Sequence, residues 1–555
     1  MDMSEKACLN VREESPLVYE GFAWDGPMEG VAFGQRATRH ELARLGSPIF
    51  VVSTSRGIGL AEQGEIRFGE EGAGRAKLLG VLPPLAPESL GSETFRRRYG
   101  LKYAYGSGAM ANGIASEDLV IALGRKGMLG SFGAAGLSLR RIGSAIEHIR
   151  TALPSGPYAF NLIHTLDESI EMRVVELYLR EGVRVVEASA FMGVTPALVW
   201  YRAAGLSEGP RGEVEIKNRV IAKLSRREVA EKFLAPAPGK LLGELVAAGR
   251  ITTLQAELAG RIPLADDITA EADSAGHTDN RPLVVLLPMI CMLRDEAANR
   301  YGYAEAIHVG GAGGIGTPQA ALSAYAMGAE YIVTGSINQA CRESGTSDTV
   351  RHLLAGAEMT DVAMAPAADM FEMGVRVQVL KGGTLYPMRA QRLYELYARY
   401  NDLEEIPAQE RERLEKQILR RPVQDIWEET EQFFAERDPA QLARAREDPH
   451  LKMALVFRWY LGLASRWAIQ GDPEREKDFQ VWCGPAMGGF NRWAKGTYLE
   501  DPANRHVDGV ALELLSGCAY LARVQALRNM GIEVGAEIGR YVPELSPAEG
   551  IGALD

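Results

Sequence analysis

Short apolar runs and helical stretches alternate through the middle of the chain. The runs are rich in β-branched residues and recur about every 30 residues, which is typical of successive βα units around a parallel sheet. Between them, apolar residues recur at helical spacing, for example at Ile170, Val174, Leu177 and Tyr178. The eight predicted strands lie near Ala104–Ala109, Met128–Gly133, Tyr158–Ile163, Val183–Ala188, Val220–Lys223, Asp267–Ala272, Ile307–Val309 and Tyr331–Thr334. Eight such units predict an α/β fold, a closed (β/α)8 or TIM barrel.

The pattern changes on both sides of these units and divides the chain into three regions. Residues 1–100 contain glycine, proline and short β-type runs such as Pro48–Ser53, followed by a turn at Arg56–Gly59, and they predict a small N-terminal β-containing domain. Residues 101–386 are assigned to the barrel. Residues 387–555 lose the strand signal, and their charged and aromatic stripes predict a mainly helical C-terminal region.

The glycine-rich stretch from Ile307 to Ser336 carries the strongest chemical signal. The seventh strand runs into a glycine cluster, Thr317 and Pro318 then open a helix, and the eighth strand ends in another glycine and a serine. Glycine lets backbone amides approach a ligand, and a helix start adds unpaired donors and a positive dipole end. The alternative is a tight connection without a ligand. Two adjacent strand ends of this kind predict the phosphate site of a barrel, formed by Gly311, Gly313, Gly314, Gly335 and Ser336.

Polar residues at other strand ends extend this candidate site, because loops at the carboxyl ends of the strands build the active site of a barrel. His277 follows the sixth strand, where an imidazole can exchange a proton near neutral pH; a merely exposed loop histidine is the alternative. Lys223 ends the fifth strand. It is either paired with Glu187 or Glu271 or set against a ligand that gains negative charge.

Residues at two further strand ends indicate room for a flat ligand. Ala109 and Met110 follow the first strand and would let a ring lie against the backbone, while the amide of Asn161 could pair with the edge of a heterocycle. Together with the phosphate site, these residues describe a phosphate-bearing planar cofactor, and FMN fits. No second histidine stands at ligand spacing, so no metal site is predicted.

Composition and charge narrow the class of protein. The chain has 555 residues, 46% hydrophobic and 24% charged, as in ordinary globular proteins, and its hydropathy pattern predicts no membrane-spanning run. The acidic N-terminal segment predicts no secretory signal and hence a cytoplasmic location. Five scattered cysteines without CxxC spacing predict reduced thiols. A net charge of −12 disfavours nucleic acid as a partner.

Several motifs resemble one known family. The segments GAMANGIAS, GMLGSFGAAG, PYAFNLIH, EADSAGHTDNRP, GGAGGIGTP and VTGSINQAC look like the PfaD family, the enoyl reductases of polyunsaturated fatty acid synthases and of trans-acting polyketide systems. The resemblance covers nearly the whole chain and includes Ala365–Gly374 and Trp482–Met487. In its barrel, that family is similar to nitronate monooxygenases and to flavin-dependent bacterial enoyl reductases that act on carrier proteins.

The resemblance implies an FMN-dependent enoyl reductase that takes hydride from NADPH or NADH and reduces the α,β double bond of an acyl thioester. His277 matches the histidine of the wider family's AGGH-like element, although this chain has Ser274-Ala-Gly-His. It would polarise the thioester carbonyl or protonate the α-carbon. Gly313, Gly314, Gly335 and Ser336 match the phosphate loops, and Asn161 and Lys223 match positions that face the flavin.

The same resemblance implies an acyl carrier protein as partner and admits a homodimer. Because carrier domains are acidic, a local basic patch is expected on this acidic chain, with Arg389, Arg392, Arg420 and Arg421 as candidates.

Three other functions stay open on the sequence. A flavin oxidase of the nitronate monooxygenase type would share the barrel and the histidine. A dehydrogenase of the inosine-monophosphate type would use a loop cysteine such as Cys341, although here that cysteine follows the eighth strand. A non-catalytic docking subunit of a synthase would keep the barrel without binding flavin.

Overall fold

The computed structural model describes residues 9–11, 21–68, 75–165 and 167–543. Its N-terminal part is a five-stranded antiparallel sheet with the strand order β4-β3-β6-β2-β5, built around the buried Trp24. The predicted β run and turn form the β3–β4 hairpin, as expected. The elements of this part are β1 (Leu9–Val11), β2 (Phe22–Asp25), α1 (Gly34–Ala43), β3 (Ile49–Thr54), β4 (Gly57–Ala61), β5 (Glu65–Phe68) and β6 (Arg75–Leu82).

Eight parallel strands follow and close into a barrel, which confirms the predicted TIM barrel. All eight lie where the sequence predicted them, and a short β11–β12 hairpin interrupts the series. The strands are β7 (Tyr105–Ser107), β8 (Leu129–Phe132), β9 (Ala159–Ile163), β10 (Val185–Ser189), β11 (Leu206–Glu208), β12 (Val214–Ile216), β13 (Arg219–Leu224), β14 (Asp267–Glu271), β15 (His308–Ala312) and β16 (Tyr331–Thr334).

Helices surround the barrel, and several begin at a serine or threonine whose side chain accepts a hydrogen bond from the first turn, as at Ser116, Ser138, Thr195 and Thr317. A further helix, α2, closes the amino-terminal end of the barrel, where Phe95 stacks on Tyr331 at 4.0 Å between ring centroids. These helices are α2 (Glu93–Tyr99), α3 (Glu117–Arg125), α4 (Leu139–Ala152), α5 (Glu168–Glu181), α6 (Pro196–Ala204), α7 (Arg227–Leu234), α8 (Gly239–Ala247), α9 (Thr253–Ala259), α10 (Leu283–Tyr301), α11 (Pro318–Ala326), α12 (Ser336–Gln339) and α13 (Asp348–Ala355).

The segment after α13 was assigned to the barrel up to residue 386, but it forms a separate antiparallel hairpin that the sequence pattern did not reveal. From residue 387 onward the chain is mainly helical, as predicted. The elements are β17 (Val362–Pro366), β18 (Arg376–Leu380), α14 (Tyr386–Arg399), α15 (Ala408–Arg413), a π-helical turn (Leu414–Leu419), α16 (Val423–Arg437), α17 (Pro439–Glu447), α18 (Pro449–Gln470), α19 (Ala486–Ala494), α20 (Val507–Asn529) and β19 (Ile532–Val534), which pairs with β1. Short 3-10 turns lie at Met28–Gly30, Pro87–Ser89, Phe371–Met373, Leu403–Glu405, Glu476–Asp478, Tyr498–Glu500 and Pro502–Asn504.

Helix α20 corrects one expectation from the sequence. It is 23 residues long with a mean hydropathy of 1.3 in its most apolar window, so its length and composition alone would allow it to cross a membrane. In the molecule, 67% of that window is buried, because the helix packs between α11 and the N-terminal sheet. A helix enclosed on all sides becomes apolar all round without any membrane.

Candidate functional site

The carboxyl ends of the barrel strands meet at one end of the barrel, called here the mouth. The two predicted phosphate-binding loops leave the neighbouring strands β15 and β16 at this end. Gly313 and Gly314 have positive φ angles of 85° and 74°, and a side chain at Gly313 would collide with the backbone of Ala272 at 2.7 Å. Only glycine therefore lets this loop pass so close to the end of β14.

Four backbone amides in these loops have no partner among the residues that the structure describes. They belong to Gly313, Gly314, Gly335 and Ser336, and none of them donates a hydrogen bond within that part of the chain. All four residues are at least partly accessible to solvent. Four free donors on adjacent strand ends are suited to an anionic group such as a phosphate.

One predicted member of the phosphate site lies elsewhere. The loop begins after Ala312, so Gly310 and Gly311 are still part of β15. A side chain at Gly311 would face Leu287 and Ala324 on the surrounding helices. These would be ordinary contacts of 3.6 to 3.7 Å, so Gly311 is a strand residue that faces the packed helices and does not belong to the loop.

Lys223 bridges two acidic residues across the mouth. Its ammonium group lies 3.3 Å from Glu187 Oε1 and 3.4 Å from Glu271 Oε1, so of the two alternatives from the sequence the ion pair is realised, with both partners. Burial lowers the pKa of Lys223, but the charges of Glu271 and Glu187 raise it more, so the net pKa lies above the usual range. This lysine is a fixed positive charge at the mouth.

Asn161 lies beside this pair and is almost fully buried. Its amide group donates to the backbone oxygen of Glu187 at 3.1 Å and to the hydroxyl of Ser189 at 2.7 Å. Only the side-chain oxygen Oδ1 of Asn161 is left without a hydrogen bond from the described residues. The predicted contact with a heterocycle is therefore restricted to that oxygen.

The segment after β7 crosses the mouth from the other side. The backbone amide of Ala109 donates to both carboxylate oxygens of Glu187, at 3.2 and 3.3 Å. The carbonyl of Met110 accepts a hydrogen bond from Ala115, and a side chain at Gly133 would collide with that carbonyl oxygen. Ala109 and Met110 are partly exposed residues beside the Lys223 ion pair.

His277 stands on the loop after β14 with an exposed fraction of 36%. Its Nε2 atom lies 3.2 Å from Oδ2 of Asp369, a residue in the connection between β17 and β18. Burial lowers the pKa of His277, while the hydrogen bond and charge of Asp369, together with the charge of Glu271, raise it to a net value above the ordinary one. The imidazole is held by one ring nitrogen and favours its protonated form.

The sequence did not reveal what holds the His277 loop. Gln378 of β18 exchanges backbone hydrogen bonds with Gly276 at 3.0 and 2.7 Å, and its side chain donates to Asp273 and to the carbonyl of Ser274, both at 2.8 Å. Trp482 of the C-terminal region lies beside this loop, where a side chain at Gly276 would meet its ring at 3.7 Å. In the sequence, only the family resemblance of Ala365–Gly374 and Trp482–Met487 pointed to these regions, and neither segment was assigned a role.

The C-terminal region also reaches the phosphate loops. The backbone amide of Gly484 donates to the hydroxyl of Ser336 at 3.0 Å, and the carbonyl of Ala486 lies so near Gly316 that any side chain there would collide with it. The β14–β16 side of the mouth is therefore covered by two segments from outside the barrel.

Cys341 is not positioned for catalysis. It is fully buried, its thiol points to the carbonyl of Ile337 at 3.5 Å, and burial raises the pKa of its thiol far above the usual range. A nucleophilic cysteine requires an accessible thiolate. The arrangement of the inosine-monophosphate type is therefore not realised.

The predicted basic patch is not a free surface. Each of its four arginines forms an ion pair: Arg389 and Arg420 with Asp478, Arg392 with Glu410 and Glu395, and Arg421 with Glu429. Arg389 is also mostly buried. The arginines are thus engaged within the chain, although Asp478 is shared with a third arginine, Arg475, and the predicted contact of this patch with an acidic protein stays a prediction.

Two family models match parts of the chain. Residues 24–84 match the N-terminal domain of fatty acid synthase subunit PfaD, and residues 400–479 match the inserted helical domain of acyl-carrier-protein S-malonyltransferase. The second match covers α15 to α18.

Longer relatives extend the comparison. The chain is 48% identical over 512 residues to a polyunsaturated fatty acid synthase subunit of Thraustochytrium sp., and the match spans 91% of this chain and 34% of that protein. It is 46% identical over 439 residues to polyketide biosynthesis protein PksE of Bacillus subtilis, and this match spans 79% of this chain and 57% of PksE. The chain thus spans between about a third and somewhat over half of these relatives.

A solved structure covers the barrel and its surroundings. The crystal structure of the enoyl reductase domain of MlnA, from the macrolactin biosynthesis cluster of Bacillus amyloliquefaciens, matches with a TM-score of 0.75 at 41% identity and covers 79% of this chain and 100% of that domain. Sequence identity at this level over an entire domain establishes common descent. The chain belongs to the PfaD family, which includes the enoyl reductase domain of MlnA.

Proposed function

We propose that this chain is an FMN-dependent enoyl reductase that uses NADPH or NADH and acts on enoyl thioesters carried by an acyl carrier protein. The double bond gains a hydride at the β-carbon and a proton at the α-carbon, while the nicotinamide loses the hydride. Family membership supports the enoyl reduction. The single observation that supports the cofactor is the set of four backbone amides at the ends of β15 and β16 that donate no hydrogen bond to a residue the structure describes.

The residues at the mouth fit FMN. The amides of Gly313, Gly314, Gly335 and Ser336, which donate no hydrogen bond within the described part of the chain, would bind its phosphate, and the partly exposed residues Ala109 and Met110 would lie against its ring. A bound flavin supplies hydride transfer between the nicotinamide and the substrate.

The polar residues of the chain supply charge and a proton. Lys223 keeps its positive charge at the mouth and holds the carboxylates of Glu187 and Glu271 in place there. His277 holds a proton on the rim, and Asp369 keeps it there. The imidazole can donate that proton to the α-carbon or hydrogen-bond the thioester carbonyl as the hydride arrives.

The test is a spectrum followed by two half-reactions. Purified protein supplemented with FMN should retain the visible absorbance of oxidised flavin, lose it anaerobically with NADPH or NADH, and regain it with a crotonyl thioester. Retention of flavin with reoxidation only by oxygen or a nitronate would favour the flavin oxidase. No flavin uptake at all would favour the non-catalytic docking subunit.

The His277→Ala variant tests the proton donor within the same experiment. It should still bind FMN and accept hydride, because the phosphate loops do not depend on this ring. Reoxidation by the enoyl thioester should slow by about 10² to 10⁴, the usual cost of removing a positioned acid. An unchanged reoxidation rate would remove His277 from the mechanism.

A further inference from the structure

The outer surface between α4 and α5 contains a cleft of about 400 Å³ that the site described above does not use. Two leucines and three arginines dominate its lining, with one acidic residue among them: Leu139, Arg140, Gly143, Arg173, Glu176, Leu177 and Arg180. On a chain with a net charge of −12, this is a local positive surface with an apolar floor.

The arginines of the cleft differ from their neighbours on the same helices. Arg141 and Arg150 are paired with Glu117 and Glu181. In contrast, Arg140 and Arg173 are exposed, and neither forms an ion pair with a residue that the structure describes. Two unpaired cations on one cleft leave charge available for a partner.

The position of the cleft relates it to the site. Helices α4 and α5 follow β8 and β9, so both begin at the mouth, and Arg140 lies in the first turn of α4. The opposite side of the mouth, around β14 to β16, is covered by Gln378, Trp482 and Ala486. A partner on the α4–α5 side would therefore reach the mouth without displacing these segments.

The charges and apolar residues of the cleft indicate the kind of partner. Arg180, near the end of α5, is paired with Glu181 at 3.2 Å, so the unpaired charge of the cleft lies on Arg140 of α4 and Arg173 of α5. Acidic side chains on one face of a partner helix would meet these two cations, and apolar residues on the same face would meet Leu139 and Leu177. The surface fits an acidic amphipathic helix.

We propose that the α4–α5 cleft binds an acidic helix of the acyl carrier protein that delivers the enoyl thioester. The proposal rests on the function proposed above, which requires a carrier to present its thioester at the mouth. The cleft differs from the C-terminal arginines, each of which forms an ion pair within the chain.

The test uses the full-length protein with the double substitution Arg140→Glu and Arg173→Glu. Fluorescence anisotropy with labelled crotonyl-loaded acyl carrier protein measures binding without turnover, and we expect the Kd to rise at least about tenfold. In steady-state assays the KM for the loaded carrier should rise similarly, while kcat and KM for crotonyl pantetheine stay unchanged.

Two charge reversals serve as controls. Arg125→Glu makes the same charge change at the other end of the barrel, and Arg421→Glu tests the predicted C-terminal patch; both should leave carrier binding unchanged. The proposal is overturned if wild-type protein shows no saturable carrier binding, if the double variant binds like wild type, or if it impairs both thioesters equally. A raised KM for NADPH alone would assign the arginines to the nucleotide instead.

The experiments distinguish a failure of the proposed function from a failure of the proposed carrier-binding cleft. If wild-type protein reduces neither thioester, the proposed function is wrong, but the anisotropy measurement still decides whether the cleft binds the carrier.

Discussion

At the scale of single residues, the site depends on charges that restrain one another. Glu187 fixes both Lys223 and the backbone amide of Ala109, so it connects strands on opposite sides of the mouth. His277 is held by Asp369, which lies outside the barrel. Removing the carboxylate of Glu187 or Asp369 should therefore affect the protonation or position of Lys223 or His277 more than the stability of the fold.

Replacing Asp369 by asparagine tests this dependence. The carboxylate raises the pKa of His277, so the variant should lose the imidazole proton at lower pH. The alkaline limb of enoyl-thioester reduction should then shift to lower pH, as measured by stopped-flow reoxidation across a pH series. By linkage, the pair stabilises the folded state below the ordinary pKa of histidine, and this contribution is lost as the pH rises through the raised pKa.

Two controls separate positioning from general damage. Flavin reduction by the nicotinamide should keep its pH profile in Asp369→Asn, and Asp369→Glu should restore part of the original limb. An alkaline limb that does not move would show that Asp369 has no influence on the proton of His277.

At the scale of elements, α20 joins the barrel to the N-terminal sheet. Its Arg523 is only 2% exposed and donates hydrogen bonds to five carbonyl groups of the N-terminal part, namely those of Leu42, Arg44, Leu45, Ser47 and Pro83. A guanidinium group can satisfy several acceptors at once because its donors form a planar fork. This one side chain therefore holds the end of α1 and the connection after β6 on the helix.

Replacing Arg523 by leucine should be severely destabilising. The change leaves up to five carbonyls without their donor, and we expect a loss of at least about 3 kcal/mol in the free energy of unfolding. Urea denaturation followed by circular dichroism measures this loss. Arg528→Leu, at an exposed position further along α20, should change stability by less than about 0.5 kcal/mol. Equal stability of the two variants would contradict the role assigned to Arg523.

At the scale of the whole molecule, α10 exposes an apolar surface to solvent. The outward faces of barrel helices are usually polar. Val284, Val285 and Met292 are 67%, 63% and 58% exposed, and the half-exposed Met289 lies among them. Exposed apolar stripes of this kind are typical of protein interfaces. Since the stripe carries no charge, a second copy of the same helix would complement it, in line with the homodimer that the sequence admitted.

We therefore expect the chain to self-associate through α10. Sedimentation velocity should show a dimer for the wild-type protein and a monomer for the double substitution Val285→Glu and Met292→Glu. The control is Met388→Glu, at a methionine of α14 that is 64% exposed. A monomeric wild-type protein, or dissociation by the control as well, would refute this interface.

The sequence by itself determined the local structure of the barrel. All eight strands, the helix after Thr317 and the two glycine loops were predictable, because strand and helix periods, capping residues and positive φ angles depend on neighbouring residues. For the same reason the presence of His277 and Lys223 at strand ends could be predicted. The end of the seventh strand was predicted less accurately, and Gly311 was assigned to the loop. The sequence does not distinguish a glycine at the end of a strand from one in the loop that follows.

Only the tertiary structure decided which distant segments complete the site. Asp369 meets His277 across 92 residues of chain, Gln378 reaches Asp273 across 105, and Arg523 meets Leu42 across 481. The tertiary structure also paired each arginine of the predicted basic patch with an acidic residue and left two arginines of the α4–α5 cleft without an acidic partner among the described residues. Such contacts follow from how whole elements pack, and no local pattern of residues records which acidic group will face which cation.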